Sequence, residues 1–132
     1  MQTQTLNELM DLKGRVALVT GGAGHIGGVA CEALLELGAS VAVLDMDQNA
    51  CKNQATELSS RIEGAILPLA CDLHDEAGTR GAISTVVKEL GGLDILVHCA
   101  AYVGTTQAPG WAVPFKRQTV QAWDSALRVN LT

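Results

Sequence analysis

Glycine stands at positions 21, 22, 24, 27 and 28, directly behind the apolar run Val16-Ala17-Leu18-Val19-Thr20. An apolar pattern of helical period then begins, with Ile26, Val29, Ala30, Ala33, Leu34 and Leu37. Strand, glycine turn and helix in that order suit the binding of a pyrophosphate. A phosphate can rest on the free N–H groups of a helix N-terminus only where no Cβ blocks it. In this reading Gly21 turns the chain off the strand and Gly24 lets the backbone meet phosphate. Gly27 lets the helix lie close on the strand, and His25 and Ile26 open the helix beside the phosphates. A plain strand–helix connection of small residues would share the glycines, so a second feature has to discriminate. The run Ser40-Val41-Ala42-Val43-Leu44 reads as the next strand and ends in Asp45, 18 residues after Gly27. A carboxylate there can accept hydrogen bonds from the adenosine ribose hydroxyls of NAD.

The other reactive residue types are few. His98 closes the run Leu93-Asp94-Ile95-Leu96-Val97-His98-Cys99, at a strand end where open sheets take ligands. It can hydrogen-bond a ribose, or be a satisfied buried histidine. His74 falls in a loop or first helical turn and reads as solvated. Cysteines at 31, 51, 71 and 99 are too far apart for a metal knuckle or a redox pair, so no metal site is expected. They read as free thiols in a reducing compartment, which suits a cytoplasmic protein.

These residues need a frame to hold them. The chain alternates: strand 15–20, helix 25–37, strand 40–45, helix 48–61 with Asp47 as N-cap, then strand 65–70. A helix capped by Asp72 or Asp75 follows and runs to residue 90, then strand 93–99. A loop over 102–116 holds Trp111, and Thr119 opens a helix with Val120, Trp123, Leu127 and Leu131 on one face. Near-continuous apolar strands alternating with helices mean an α/β fold, a doubly wound parallel sheet. Residues 1–11 are polar and acidic and read as a flexible tail, leaving 12–132 as one domain. Hydrophobic residues make up 48% and aromatics only 3%, so the core must be aliphatic. The net charge of −5 argues against a nucleic-acid or anionic-membrane partner. No apolar run approaches a membrane span, and no charged-then-apolar leader opens the chain.

From Leu12 to Thr132 the residues resemble the N-terminal half of the short-chain dehydrogenases/reductases. Leu12-Lys13-Gly14-Arg15-Val16-Ala17-Leu18-Val19-Thr20-Gly21 looks like that family's opening. Cys71-Asp72-Leu73 is similar to the segment whose aspartate contacts the adenine ring. His98-Cys99-Ala100-Ala101 falls where the family has Asn-Asn-Ala-Gly. Trp123-Asp124 with Val129-Asn130-Leu131 resembles the helix carrying its structural and catalytic asparagine, here Asn130. The resemblance implies a Rossmann-type sheet of strand order 3-2-1-4, incomplete at the strand-four edge. It also implies cofactor contacts from Gly21, Gly24, His25, Ile26, Gly27, Asp45, Asp72, Leu73, His98, Ala100 and Ala101.

The implied function is the NAD-binding portion of an NAD(H)-dependent oxidoreductase that moves hydride between nicotinamide and a small carbonyl or alcohol substrate, as a homo-oligomer in its full-length form. There are departures. His25 replaces the usual second glycine, and Gly21-x-x-Gly24-x-x-Gly27 with His98-Cys99-Ala100-Ala101 leans toward the sugar-nucleotide epimerases and dehydratases of the family. The family's chemistry also resembles proton transfer by a Tyr activated by a Lys four residues on, since an adjacent ammonium favours phenolate. Here the single tyrosine is Tyr102, and Thr106 stands four residues later. The Ser and the Tyr–Lys pair would lie beyond Thr132, so the 132 residues alone are expected to be inactive. A non-catalytic dinucleotide-binding module, or a partial gene product, is the alternative.

Overall fold

Every residue of the first strand, Val16–Thr20 (β1), is buried, and the sheet is built outward from it. The structure is a computed structural model that describes residues 4–102 and 113–131. The expected loop positions Thr106 and Trp111 lie outside those residues. Strands Ser40–Asp45 (β2), Ile66–Ala70 (β3) and Ile95–His98 (β4) complete a four-stranded sheet of order β3-β2-β1-β4, all parallel. The order reverses between β1 and β4, as the resemblance implies.

Alternate residues of β1 serve opposite faces. Ala17 and Val19, with Val41 and Val43 of β2, pack against Cys31 and Leu35 of helix His25–Glu36 and against Cys51 and Leu58 of helix Gln48–Ser59. Val16 and Leu18, with Ala42 and Leu44, pack against Ala82 and Val86 of helix Glu76–Leu90. Both faces are covered, so the strand must be apolar throughout.

Helix ends follow the sequence cues. Gly38 takes φ +95° after the first of these helices and Gly91 takes φ +88° after the third, the left-handed conformation that terminates helices. Asp47 caps the second by accepting from Asn49 N and Ala50 N at 2.8 and 3.3 Å. Asp75, not Asp72, holds the N-cap position of the third, without a capping bond from its side chain.

Two expectations change in detail. Leu6–Met10, within the expected tail, is an exposed five-residue helix (α1) closed by a reciprocal Thr5–Glu8 capping box, so the helices above are α2, α3 and α4. Strand β4 also starts later than expected. The Asp94 carboxylate accepts from Val16 N at 2.8 Å, and this side chain clamps the entrance to the strand.

Residues 100–131 form a separate compact unit. It holds a 3-10 turn, Phe115–Arg117, and helix Val120–Asn130 (α5), capped by Thr119, whose hydroxyl accepts from Ala122 N at 3.2 Å. The apolar residues expected on one face of α5 are exposed: Val120 70%, Trp123 53%, Leu127 41% and Leu131 78%. Ala122 and Ala126 are the buried positions of this helix.

Candidate functional site

The carboxyl ends of β1, β2 and β4 bring most of the candidate residues together. Gly21 takes φ +66°, left-handed backbone that a branched residue cannot adopt without strain. Its carbonyl accepts from Gly24 N at 3.0 Å, which closes the turn, and Gly24 becomes the N-cap of α2. A Cβ on Gly27 would lie 2.1 Å from the Gly21 carbonyl oxygen, so the helix could not sit where it does with any larger residue. Gly24 is under less pressure, since its Cβ would meet only that oxygen, at 3.2 Å. His25 and Ile26 open α2 and are exposed, Ile26 at 79%. Ile26 is a large apolar side chain left uncovered at the first turn of α2.

The structure joins Asp45 to this turn. Its Oδ2 accepts from Ala23 N at 3.3 Å, and its Oδ1 accepts from Met46 N at 2.8 Å. A carboxylate has about four acceptor positions, so two remain for hydroxyls of a ligand. The next residue, Met46, is 68% exposed and uncharged.

Asp72 sits outside the end of β3. It accepts from His74 N at 2.9 Å and lies 3.1 Å from His74 Nδ1. The His74 backbone N–H holds the Asp72 carboxyl below its ordinary range, burial opposes this, and the His74 ring adds to the lowering. Leu73 is half-buried and packs against the core on the α4 face. His98 ends β4, with its Nδ1 3.0 Å from Thr20 Oγ1.

Two residues carry roles that the motif reading missed. Gly22 donates its N–H to Leu44 O at 3.0 Å, and a Cβ there would lie 2.9 Å from Val19 O and 3.1 Å from Val43 Cγ1. It seats the turn on β2, which is why the glycine run has an extra member. Thr20 ends an otherwise apolar strand, is buried, and lies with its Oγ1 3.0 Å from His98 Nδ1. A polar residue at such a position was the available signal.

Two of the four thiols, Cys31 and Cys51, sit in settings that suppress reactivity. Burial pushes the Cys31 thiol up to about 12, helped by neighbouring Cys99, and burial raises Cys51 too. The thiolate is the nucleophile, so a raised value makes these cysteines inert. Among the described residues no cluster of three His, Cys, Asp or Glu side chains could hold a metal. No helix among them is long and apolar enough to cross a membrane.

In the second unit, Asn130 makes a two-bond clamp on the backbone of Tyr102. Its Oδ1 accepts from Tyr102 N at 2.7 Å, and its Nδ2 donates to Tyr102 O at 3.3 Å. Ala100 and Ala101 immediately precede the clamped residue, so Asn130 fixes the chain they lie on.

The family model described as short chain dehydrogenase matches residues 15–132. The chain belongs to the short-chain dehydrogenase family. A D-threitol dehydrogenase of Mycolicibacterium smegmatis is 35% identical over 133 residues, covering 99% of this chain and 48% of that protein. A 2,3-dihydroxy-2,3-dihydro-p-cumate dehydrogenase of Pseudomonas putida is 40% identical over 131 residues, with the same two coverages. The crystal structure of a short-chain type dehydrogenase/reductase from Mycobacterium marinum superposes with a TM-score of 0.83 at 31% identity, over 98% of this chain and 49% of that one. The chain thus spans about half the length of the curated relatives it matches. Short-chain dehydrogenases work with a nicotinamide dinucleotide, NAD or NADP. The glycine turn fits such a group in one respect: a Cβ on Gly27 would lie 2.1 Å from the Gly21 carbonyl oxygen and push the start of α2 off the strand end.

Proposed function

We propose that the chain is the NAD-binding portion of an NAD(H)-dependent oxidoreductase that transfers hydride between nicotinamide and a small carbonyl or alcohol substrate. The observation that carries this reading is the Asp45 carboxylate bonded to the glycine turn through Ala23 N. One side chain thereby spans the pyrophosphate cradle and the ribose position. The backbone at Gly21, Gly24 and Gly27 and the first residues of α2, His25 and Ile26, would hold the pyrophosphate at the positive end of the helix. Asp45 would accept from the ribose hydroxyls, and its charge would repel a 2′-phosphate at close range. Asp72 and Leu73 would contact the adenine, and Ala100 and Ala101 would leave space for the rest of the dinucleotide. Asn130 has the family's structural and catalytic role in this reading, and its clamp on the Tyr102 backbone supports the structural part.

The bound nicotinamide supplies the hydride chemistry, and the protein supplies position and electrostatics. Buried, unpaired Cys31, Cys51 and Cys71 support a reducing compartment, the cytoplasm. A homo-oligomer is the state this reading assigns to the full-length protein. Calorimetric titration with each cofactor tests the cofactor assignment. NAD is expected to bind at least about tenfold more tightly than NADP, about 1.4 kcal/mol. Equal affinity, or a preference for NADP, would overturn the role of Asp45.

A further inference from the structure

Thr20 is the one buried polar residue among the described residues, at 3% exposure, in a strand whose other members are valine, alanine and leucine. A valine would fill the same space without a hydroxyl to satisfy, so the hydroxyl calls for a reason. Thr20 is the last residue of β1 and the register partner of His98, the last residue of β4. Those two strand ends flank the reversal of strand order, where open α/β sheets take ligands. The His98 ring is exposed, and its Nδ1 lies 3.0 Å from Thr20 Oγ1. With Nδ1 tied back to β1, Nε2 on the far edge of the ring points away from the anchoring hydroxyl.

We propose that Thr20 is a positioning residue whose hydroxyl fixes the His98 imidazole so that Nε2 meets a dinucleotide lying over the β1–β4 crevice. This rests on the dinucleotide reading above. Phosphate and ribose oxygens are acceptors, so a ligand there selects the tautomer with its proton on Nε2, and the Thr20 hydroxyl then donates to Nδ1. Protonation of the ring places a second proton on Nδ1, which donates to Thr20 Oγ1 in turn. A protonated ring is a cation beside an anionic ligand, so affinity rises as pH falls.

Few charges compete around the ring. β1 offers only neutral Thr20 beside it. Helix α2, which packs against β4, brings His25 at its first residue, the Cys31 thiol, and Glu32 and Glu36 further along. Helix α4, on the face that Thr20 and His98 share, carries the Glu76–Arg80 and Lys88–Glu89 pairs. Asp45 and Asp72 stand at the ends of the next two strands, and Asp94 lies at the opposite end of β4.

The test is calorimetric binding of NAD to the full-length protein between about pH 5.5 and 8.5, paired with NMR of the His98 ring. The parent is expected to bind about three- to tenfold more tightly at the acid end. His98→Gln and Thr20→Val should flatten that slope while NAD still binds. Thr20→Ser should restore it, and Thr20→Val should move the ring's NMR titration. His25→Asn should keep the slope. A parent-like slope in His98→Gln or in Thr20→Val, or a slope lost only in His25→Asn, overturns the proposal. Absence of NAD binding by the parent at every pH overturns the dinucleotide reading, and the proposal falls with it. If Thr20→Val fails to fold by circular dichroism, the decision passes to His98→Gln and to the ring titration in Thr20→Ser.

Discussion

The two sides of β1 differ. Toward β2, four consecutive residues, Val41 to Leu44, are buried, and the turn between the strands is closed by Gly22 N, Ala23 N and the Asp45 carboxylate. Toward β4 the pattern alternates, and Leu96 is 54% exposed. Ile83 and Val87 of α4 are exposed as well, at 41% and 45%. The first side is a closed turn, the proposed phosphate cradle, that a Cβ on Gly22 or Gly27 would disrupt. The second is an apolar strand that is the outermost among the described residues, with Asp94 at its entrance as the one charge on its run. Precision and coverage are thus separate properties of this sheet. The β2 side has both, and the β4 side lacks coverage among the described residues.

The largest effect should come from testing that uncovered side. The 132 residues expressed alone are expected to show no turnover of NAD with a panel of alcohols. They should also sediment as aggregates, because an exposed apolar edge pairs with its copies. A soluble, cooperatively melting monomer would refute the structural half, and robust turnover would refute the need for a Tyr–Lys pair. The next effect belongs to the β2 side. Gly21→Val forces a β-branched residue to φ +66° beside the pyrophosphate. It should weaken NAD binding by more than about a hundredfold, beyond any loss of stability, which an overpacked site puts at about 1–3 kcal/mol. Gly24→Ala, whose Cβ meets one atom at 3.2 Å, should cost far less binding. Parent-like NAD affinity in a folded Gly21→Val would remove the cradle.

The parts that were legible are those encoded locally. The turn, the ends of α2 and α4 and the Asp47 cap follow from patterns within a few residues, the α/β class follows from strand–helix alternation, and the strand order came with the family resemblance. The contacts that the sequence pattern does not reveal join partners distant in sequence. Thr20 meets His98, and Asp94 meets Val16, each 78 residues apart, and only the register of β1 with β4 brings them together. Gly22 looked like one more member of a glycine run because its reason lies on β2. Asn130 was readable as a family position, but its two bonds to the Tyr102 backbone follow from how its own unit folds.

A moderate effect should separate the two functions of Asp45. Asp45→Asn keeps an acceptor for Ala23 N but removes the negative charge. Competition binding should show the NAD-to-NADP preference reduced by about tenfold. A melting temperature close to the parent's would show that the turn survives. An unchanged preference would mean that something other than this charge selects the cofactor.

The smallest effect lies at the opposite end of the sheet and sharpens the contrast between its sides. Asp94 holds β4 to β1 by accepting from Val16 N, with Arg15 Nη1 3.2 Å from its other oxygen. The Val16 N–H, with burial opposing it and the Arg15 guanidinium assisting, keeps the Asp94 carboxyl below its ordinary range. The folded state therefore binds this proton less readily than the unfolded chain. Its contribution is present above the unfolded value, near about pH 4, and is lost as pH falls through the lower folded value. The group is solvent-exposed, so the contribution is small and salt-screened. Asp94→Asn should lower the melting temperature slightly at neutral pH and make acid unfolding start less steeply than in the parent. If the variant and the parent show the same stability difference at pH 7 and at pH 3, the carboxylate is not the group that joins β4 to the cofactor strand.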